Sequence, residues 1–184
     1  MSVADFFARW RVRLGYILAV ILLILARPTP QSIALGGLVG VMGLFIRGYA
    51  AGFLHKQEVL TTTGPYAYTR NPLYFGSSFL ALGAAVAMRS WLGGALLLIY
   101  FSLVYSFVMR REEGELRPRY TDAFDAYAAS VPLFFPRFRP KNLVAKDSAA
   151  FSWAQYKRNH EHEAIIGFLL LLLALTVIWQ LRSR

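Results

Sequence analysis

Five apolar segments divide the chain, and most polar residues lie between them. The segments cover residues 14–26, 32–54, 74–88, 92–108 and 164–181. A helix needs about 20 apolar residues to cross a bilayer, so the first and third segments are short and must recruit flanking residues. The pattern predicts an all-α, polytopic membrane protein with about five transmembrane helices, folded as a single domain over residues 1–184.

The longest polar stretch, residues 109–163, joins the fourth and fifth apolar segments. Nine aromatic side chains lie in it, a density that indicates packing rather than disorder. Thr121 can cap a short amphipathic helix that carries Phe124 and Tyr127 on one face. Pro132 would end that helix. The remainder is predicted to lie at the level of the lipid headgroups, either as a surface collar or as part of a functional site.

Composition narrows the partners of such a protein. Hydrophobic residues make up 57% of the chain, and the mean hydropathy is +0.44. Lys and Arg outnumber Asp and Glu by 20 to 10, which favours anionic lipid headgroups as partners. The apolar segments argue against nucleic acid. The chain contains no cysteine, which excludes disulfides, thiolate metal ligands and a cysteine nucleophile.

The distribution of basic residues predicts the orientation. Fifteen of the 20 fall on the side of the N-terminus and the long polar loop, and four fall on the other side: Arg27, Arg89, Arg182 and Arg184. By the positive-inside rule, the N-terminus and the aromatic, basic loop are cytoplasmic, in the inner membrane if the source is a bacterium. The remaining basic residue, Arg47, falls inside the second segment, where it either snorkels to the surface or serves a polar cavity.

The stretch TRNPLYFG, residues 69–76, begins the third apolar segment. Asn71 is a favourable N-cap and Pro72 suits the first helical position, so a helix start is predicted. The short turn after this segment makes the third and fourth helices an antiparallel hairpin. At 1.5 Å per residue, Pro72 and Glu112 then differ in height by about 6 Å, so the helix start meets the pair Glu112–Glu113 at one rim. Alternatively, the glutamates only balance arginines at the end of their own helix.

Three ordered motifs resemble the cofactor-binding core of the isoprenylcysteine carboxyl methyltransferase and phospholipid methyltransferase superfamily. They are GPYAYTRNPLYFG, then RREEGEL after the hairpin, then VPLFFP after Tyr120 and Tyr127. The resemblance covers about residues 64–136, and RGYAAGFLHK, residues 47–56, is similar to the approach to this core in bacterial members. Carboxyl methyltransferases commonly have His at the position of Asn71, whereas Asn is familiar in phospholipid N-methyltransferases.

The resemblance implies that S-adenosylmethionine binds at the cytoplasmic rim. By motif match, the cofactor-binding residues are Tyr66, Arg70, Asn71, Pro72, Tyr74, Gly76, Glu112, Glu113, Tyr127, Pro132 and Pro136. The last three of these would form a lid. A carboxylate acceptor is ionised at neutral pH and needs a cation such as Arg70 or Arg47. An amine acceptor must lose a proton, which suggests Glu112 or Glu113 as general base. These four residues are the catalytic candidates.

The function expected from the resemblance is methylation of a membrane lipid or a lipidated, prenylcysteine-type acceptor, with phospholipid N-methylation as an alternative. Sterol reductases that use NADPH share a related core, and the basic residues of RFRPK could bind the 2'-phosphate. Such a reductase and a non-enzymatic scaffold stay open. His160 and His162 would point in opposite directions on a helix, so no metal site is expected. The small residues of GGLVGVMG permit close helix contact and with it a homodimer.

Overall fold

The computed structural model describes residues 3–55, 59–140 and 150–183, with side chains from residue 13 onward, and every regular element in these ranges is helical. Lys56, part of the motif resemblance, lies outside the described residues. The helices are α1 (Val3–Leu25), α2 (Pro30–Phe53), α3 (Pro72–Met88), α4 (Trp91–Ser130), α5 (Trp153–Arg158) and α6 (His162–Arg182), and a short 3-10 turn covers Gly64–Ala67.

The five apolar segments all lie on helices, which confirms the predicted all-α, polytopic fold. Within the described ranges, α2, α4 and α6 are long and apolar enough to cross a membrane. The shorter apolar helices are Arg13–Leu25 and α3, the same two segments whose length the sequence marks as short. Three of the five segments therefore meet the length of a span by themselves.

Glycines hold α2 and α3 close together. Gly36 and Gly40 of α2 lie against Gly83 of α3. Further along, Gly43 lies against Gly76, where a Cβ added to Gly43 would come within 2.6 Å of the carbonyl oxygen. Small residues permit such backbone contact between membrane helices. The GGLVGVMG motif is therefore used inside the chain, and a homodimer, which stays a prediction, would need other surface residues.

The α3–α4 hairpin forms as predicted. Arg89 ends α3 in the left-handed conformation, and the Ser90 hydroxyl accepts the Gly93 N–H at 3.2 Å to cap α4. α4 continues beyond its apolar segment and breaks at Thr121, whose φ of 43° and ψ of −121° are not helical. Pro118, just before this break, lacks the N–H that a helix uses. The break separates the apolar helix from the predicted amphipathic one.

The final part of α4 buries the apolar face that the sequence predicts. Phe124, Tyr127 and Val131 form one buried cluster, and the loop after α2 packs against it. The helix ends at Ser130, because Val131 is extended, as is usual for a residue that precedes proline. This part of α4 therefore folds against the rim rather than lying free at the membrane surface.

A turn separates α5 from the last apolar helix, α6. α5 ends at Arg158, and His160 adopts a left-handed φ of 55° before α6 begins. The side-chain amide of Asn159 donates to the carbonyls of Ala51, at 2.8 Å, and Leu54, at 2.9 Å. These contacts hold the start of α6 against the end of α2.

Candidate active site

A cavity of about 700 Å³, called the rim cavity below, lies where the end of α2, the start of α3, the middle of α4 and the start of α6 meet. Its volume falls in the range of about 300–1,000 Å³ that is typical of ligand pockets. Nine of the predicted site residues line it, from four separate stretches of the chain: Arg47, Tyr66, Arg70, Asn71, Pro72, Tyr74, Glu112, Glu113 and Tyr127.

Direct contacts confirm that the start of α3 meets Glu112 and Glu113. The Tyr74 hydroxyl donates to Glu112 Oε1 at 2.5 Å, and Arg70 Nη1 lies 2.8 Å from Glu113 Oε1. The Arg70 and Glu113 side chains are mostly buried, with 15% and 24% of their surfaces exposed. The interpretation that the glutamates only balance their own helix end is therefore wrong for Glu113. It holds for Glu115, which pairs within α4.

Arg47 lines the rim cavity, which favours a polar cavity as the environment of its side chain. Its guanidinium donates to both carboxylate oxygens of Glu161, at 2.6 and 3.0 Å, and to the Ser77 hydroxyl. Glu161 is buried, so the two charges compensate each other away from water. The sequence analysis missed Glu161. An arginine inside a membrane segment requires a partner, and a search for a carboxylate beside another apolar segment could have found it.

Three buried polar atoms at the cavity wall have no hydrogen-bond partner in the described part of the chain: Arg70 Nε, Glu113 Oε1 and Tyr120 Oη. Arg70 and Glu113 form an ion pair by distance, but their contact lacks the alignment of a hydrogen bond. The three atoms offer one N–H donor, one carboxylate acceptor and one hydroxyl that can donate or accept. Unpaired buried polar groups are costly and are normally satisfied, so this wall is suited to a polar ligand.

Two buried tyrosines connect α4 to the 3-10 turn beside the rim cavity. The Tyr127 hydroxyl donates to the Tyr66 carbonyl at 2.8 Å. Burial raises the pKa of Tyr66, and the neighbouring Tyr127 adds to this shift. Burial also raises the pKa of Tyr127 well above its ordinary value. Both phenols therefore stay protonated at neutral pH, which makes Tyr127 a constant donor and excludes either phenolate as a base.

Residues 131–137 form a strap that is fastened to the segment just before α3. The Arg70 N–H donates to the Pro132 carbonyl at 2.9 Å, and the Thr69 hydroxyl contacts two strap carbonyls at 2.9 and 3.3 Å. Pro132 and Pro136 do not line the rim cavity. The strap holds the entrance of α3, and the role of these prolines in a lid stays a prediction.

Asn71 occupies the N-cap position of α3, as predicted, but its side chain makes no capping bond. The amide donates to the Leu133 carbonyl of the strap at 3.0 Å, and the Asn71 N–H donates to Thr69 Oγ1 at 3.3 Å. The predicted capping bond is wrong because the strap competes for the amide. Pro72, the first helical residue, also has no N–H to be capped.

Gly76, predicted to contact the cofactor, lies outside the cavity wall. A Cβ at this position would come within 2.7 Å of Arg47 Cγ and 2.9 Å of the Gly43 carbonyl oxygen. The absence of a side chain lets Arg47 cross α3 toward Glu161. Gly76 therefore serves the packing of α2 on α3, and the motif match does not correspond to a cavity contact at this residue.

His160, His162 and Glu163 lie together at the edge of the rim cavity. The turn after α5 breaks the helix on which the histidines were predicted to point apart, so that prediction is wrong. One donor atom from each of the three exposed side chains lies within 4.8 Å of the others. Ligands that share a zinc ion at about 2.1 Å stand less than about 4.2 Å apart, so binding would require rearrangement. The expectation of no metal stays a prediction.

Comparison with known proteins places the chain in a family. The family profile described as phospholipid methyltransferase matches residues 11–123, more than half of the chain. The chain belongs to this family. The matched region includes four charged residues of the rim cavity: Arg47 on α2, Arg70 just before α3, and Glu112 and Glu113 on α4. Together with the long apolar helices, family membership identifies an integral membrane protein, and the superfamily inferred from the motifs is confirmed.

Three curated relatives are similar to this family member. Cobalt-zinc-cadmium resistance protein CzcN of Cupriavidus metallidurans is 33% identical over 137 residues, which cover 70% of this chain and 62% of that protein. Nickel-cobalt-cadmium resistance protein NccN of Alcaligenes xylosoxydans is 38% identical over 82 residues, 45% of this chain and 38% of that protein. Protein-S-isoprenylcysteine O-methyltransferase of Schizosaccharomyces pombe is 29% identical over 82 residues, 45% of this chain and 35% of that protein.

The matched part of the chain therefore spans less than two thirds of the length of each of these relatives. No solved structure matches the chain.

Proposed function

We propose that this protein transfers a methyl group from S-adenosylmethionine to a membrane lipid or to a lipidated, prenylcysteine-type acceptor at the cytoplasmic face. The observation that carries the proposal is the wall of the rim cavity, where Arg70 Nε, Glu113 Oε1 and Tyr120 Oη are buried without a hydrogen bond. Membership of the phospholipid methyltransferase family and the similarity to a protein-S-isoprenylcysteine O-methyltransferase support the reaction class.

The polar atoms at the wall fit the chemistry of the cofactor. S-adenosylmethionine carries a carboxylate, an ammonium group and ribose hydroxyls. The Arg70 guanidinium suits the carboxylate, and Glu113 suits the ammonium group or a ribose hydroxyl. The Tyr120 hydroxyl can donate or accept. The cavity volume of about 700 Å³ leaves room for a second group beside the cofactor.

The chain contributes alignment and charge complementarity to this chemistry. When bound, S-adenosylmethionine supplies an activated methyl group on a positively charged sulfur. The ring of Tyr74, whose hydroxyl is held by Glu112, offers an aromatic face of the kind that attracts cations. Displacement at a methyl group requires that the acceptor atom, the methyl carbon and the leaving sulfur lie in line. Residues that hold the two reactants in this alignment therefore contribute most of the catalysis.

The acceptor decides which charged residues take part in the reaction. A carboxylate acceptor requires a cation; Arg47 is a candidate at the cavity wall, and it would exchange its hydrogen bond to Ser77 for one to the acceptor while Glu161 holds the rest of the guanidinium. An amine acceptor must lose a proton. Glu112, an exposed residue that lines the rim cavity, is the candidate base. A prenylcysteine-type acceptor would give a carboxyl methyl ester, which mild alkali cleaves. A phospholipid amine would give an N-methyl group, which resists alkali.

A binding experiment tests the cofactor. Titration of purified protein by calorimetry is expected to give saturable binding of S-adenosylmethionine and none of NADPH. The basic residues considered for the 2'-phosphate are placed away from the rim cavity: Arg137 donates to the Ser130 carbonyl at 2.6 Å, and neither Arg137 nor Arg139 lines the wall. Lys141 lies outside the described residues. Folded protein that fails to bind S-adenosylmethionine would refute the proposal.

A turnover experiment tests the acceptor. Membrane lipid extract and a prenylcysteine analogue are each incubated with the protein and the methyl-labelled cofactor, and the products are treated with mild alkali. Label released as methanol indicates a carboxyl methyl ester, whereas label that resists alkali indicates an N-methyl group. Cofactor binding without labelling of either acceptor class would refute the substrate assignment and leave the cofactor assignment intact.

A further inference from the structure

A second cavity, of about 740 Å³, lies at the opposite end of the helices and is called the opposite cavity below. Its walls come from the α1–α2 connection, the α3–α4 turn and the end of α6. It shares no lining residue with the rim cavity, so it is not part of the candidate active site.

Three arginines from three separate elements line the opposite cavity: Arg27, Arg89 and Arg182. None of the residues that line it is acidic. The Arg182 guanidinium is held by the fold, because it donates to the carbonyls of Ile24 and Ala26, and the Arg27 backbone is held by its N–H, which donates to the Met88 carbonyl at 2.9 Å. Like charges gathered around one space repel each other unless an anion lies between them.

The backbone at Arg89 gives independent support. Arg89 adopts φ 48° and ψ 42° at the end of α3, a left-handed conformation that favours glycine. An arginine here keeps a backbone strain that glycine would remove. A cation also suits the C-terminus of a helix, and Met88, one residue earlier, is buried in the core and leaves no place for it. The position therefore indicates a use for the side chain itself.

Tryptophans place the opposite cavity at the membrane surface. Trp91 and Trp179 both line it, and 85% of the Trp91 surface is exposed. Tryptophan is enriched where the bilayer meets water. The predicted orientation leaves four arginines on this side of the membrane, and three of them meet at this one cavity. Arginines that only set the topology need not lie near one another, so their clustering here indicates a further role.

We propose that the opposite cavity binds a phosphate-bearing anion at the membrane surface. Guanidinium groups present paired N–H donors that match phosphate oxygens. Three guanidinium groups carry more positive charge than is needed to neutralise one phosphodiester. An anionic lipid headgroup and free phosphate share this chemistry. The site is independent of the proposed methyl transfer, and it would connect the stability of the protein to the composition of the bilayer.

The test compares anions with purified protein in nanodiscs. Nanodiscs that contain phosphatidylglycerol are expected to raise the unfolding temperature relative to pure phosphatidylcholine, and native mass spectrometry is expected to show retained anionic lipid. Inorganic phosphate added to phosphatidylcholine nanodiscs separates the two sources. Stabilisation by phosphate alone would assign the site to the free anion, whereas stabilisation by phosphatidylglycerol alone would assign it to the lipid. No effect of either would overturn the proposal.

Matched variants locate the binding site. The double variant Arg27→Gln/Arg89→Gln is expected to weaken anion binding roughly tenfold or more, a loss comparable to removing one or two charged contacts. Arg110→Gln/Arg111→Gln removes the same charge from exposed positions of α4 and should retain binding. Equal losses in both variants would overturn the proposal by showing a nonspecific charge effect.

A single substitution keeps the test independent of folding. Arg89→Gly removes the side chain and also relieves the left-handed backbone, so the variant should fold at least as well as the parent protein. We expect it to bind the anion more weakly despite this. Unchanged binding by the well-folded Arg89→Gly protein would rule out a role for Arg89 in the site.

Discussion

Paired charges define the rim cavity at the scale of single residues. Arg47 and Glu161 neutralise each other, and Arg70 does the same for Glu113 while leaving polar atoms of both side chains without hydrogen bonds. The first pair is completed within the protein, whereas the second has capacity left for a ligand. This difference predicts different behaviour when each pair is changed.

Glu113→Gln is expected to weaken S-adenosylmethionine binding by roughly tenfold or more, because the variant loses a charged acceptor at the cavity wall. Thermal stability should fall less than when the Arg47–Glu161 pair is broken, because Glu113 is less buried than Glu161 and a neutral amide still fits beside Arg70. Calorimetric titration and a thermal unfolding scan measure the two effects. Asp125→Asn is the control, because Asp125 forms an exposed ion pair outside the rim cavity and should bind the cofactor normally.

Arg47→Met leaves the Glu161 carboxylate buried without its partner, a change that costs about 3–5 kcal/mol at comparable sites. The double variant Arg47→Met/Glu161→Gln removes both charges and should recover most of the lost unfolding temperature. Methyl transfer should stay absent in the double variant if Arg47 is catalytic. Full activity in a folded double variant would show that Arg47 has a structural role and no catalytic one.

At the scale of elements, the strap decides how α3 begins. Its carbonyls accept hydrogen bonds from the side chains of Thr69 and Asn71, which would otherwise be available to cap α3. A further carbonyl accepts the Arg70 N–H and so fixes the segment that carries Arg70. The helix start and the cavity wall are therefore held by the same contacts. A change in the strap should affect both.

Thr69→Val removes the hydroxyl that contacts two strap carbonyls and accepts the Asn71 N–H. The free energy of unfolding should fall by about 1–3 kcal/mol, because the part-buried Asn71 N–H and Phe134 carbonyl lose this hydrogen-bond partner, while the Leu133 carbonyl keeps the Asn71 amide. Thr62→Val is a close control, since Thr62 is also buried but its hydroxyl has no partner in the described part of the chain. That variant should be neutral or slightly stabilised in the same thermal scan. Equal effects would contradict the role of the strap.

Gly76→Ala tests the packing of α2 on α3. The added Cβ would clash with Arg47 and with the Gly43 backbone, and overpacking of this kind costs about 1–3 kcal/mol. Lower thermal stability and weaker activity are expected together, because Arg47 would be displaced. Gly167→Ala in α6 is the control, since a Cβ there meets nothing within 4 Å. A tolerated Gly76→Ala would show that the helices separate easily.

At the scale of the whole molecule, the two cavities lie at opposite ends of the helices and differ in charge. The rim cavity balances arginines with glutamates, whereas the opposite cavity has arginines and no acidic lining residue. This asymmetry does not fix the orientation in the membrane, which stays a prediction from the basic residues. The orientation itself can be measured.

The absence of cysteine makes the topology directly testable. Ser130→Cys and Gln31→Cys introduce single thiols, one half-buried and one exposed, at opposite ends of the molecule. A membrane-impermeant maleimide added to intact cells should label Gln31→Cys and should label Ser130→Cys only after the membrane is opened. The reverse pattern would place the rim cavity on the outer side and contradict the predicted cytoplasmic N-terminus.

Much of the fold followed from local patterns, and the candidate site followed in part. The spacing of apolar segments predicted the helices, and the short turn predicted that Pro72 and Glu112 share a rim. Asn71 was placed correctly as an N-cap, but its hydrogen bond was not, because the competing carbonyl of Leu133 is 62 residues away along the chain. Local propensity contains no information about such a competitor.

The amino-acid sequence alone was sufficient for the helical class, the order of the spans and the family, because apolar length, proline and glycine positions and motif order are local properties. Only the packed structure assigned Arg47 to Glu161, since 114 residues separate them and their contact depends on how α5 turns the chain into α6. The same holds for the three arginines of the opposite cavity. Helix packing decides whether charges far apart in the sequence meet an opposite charge, as Arg47 does, or gather with like charges, as the three arginines do.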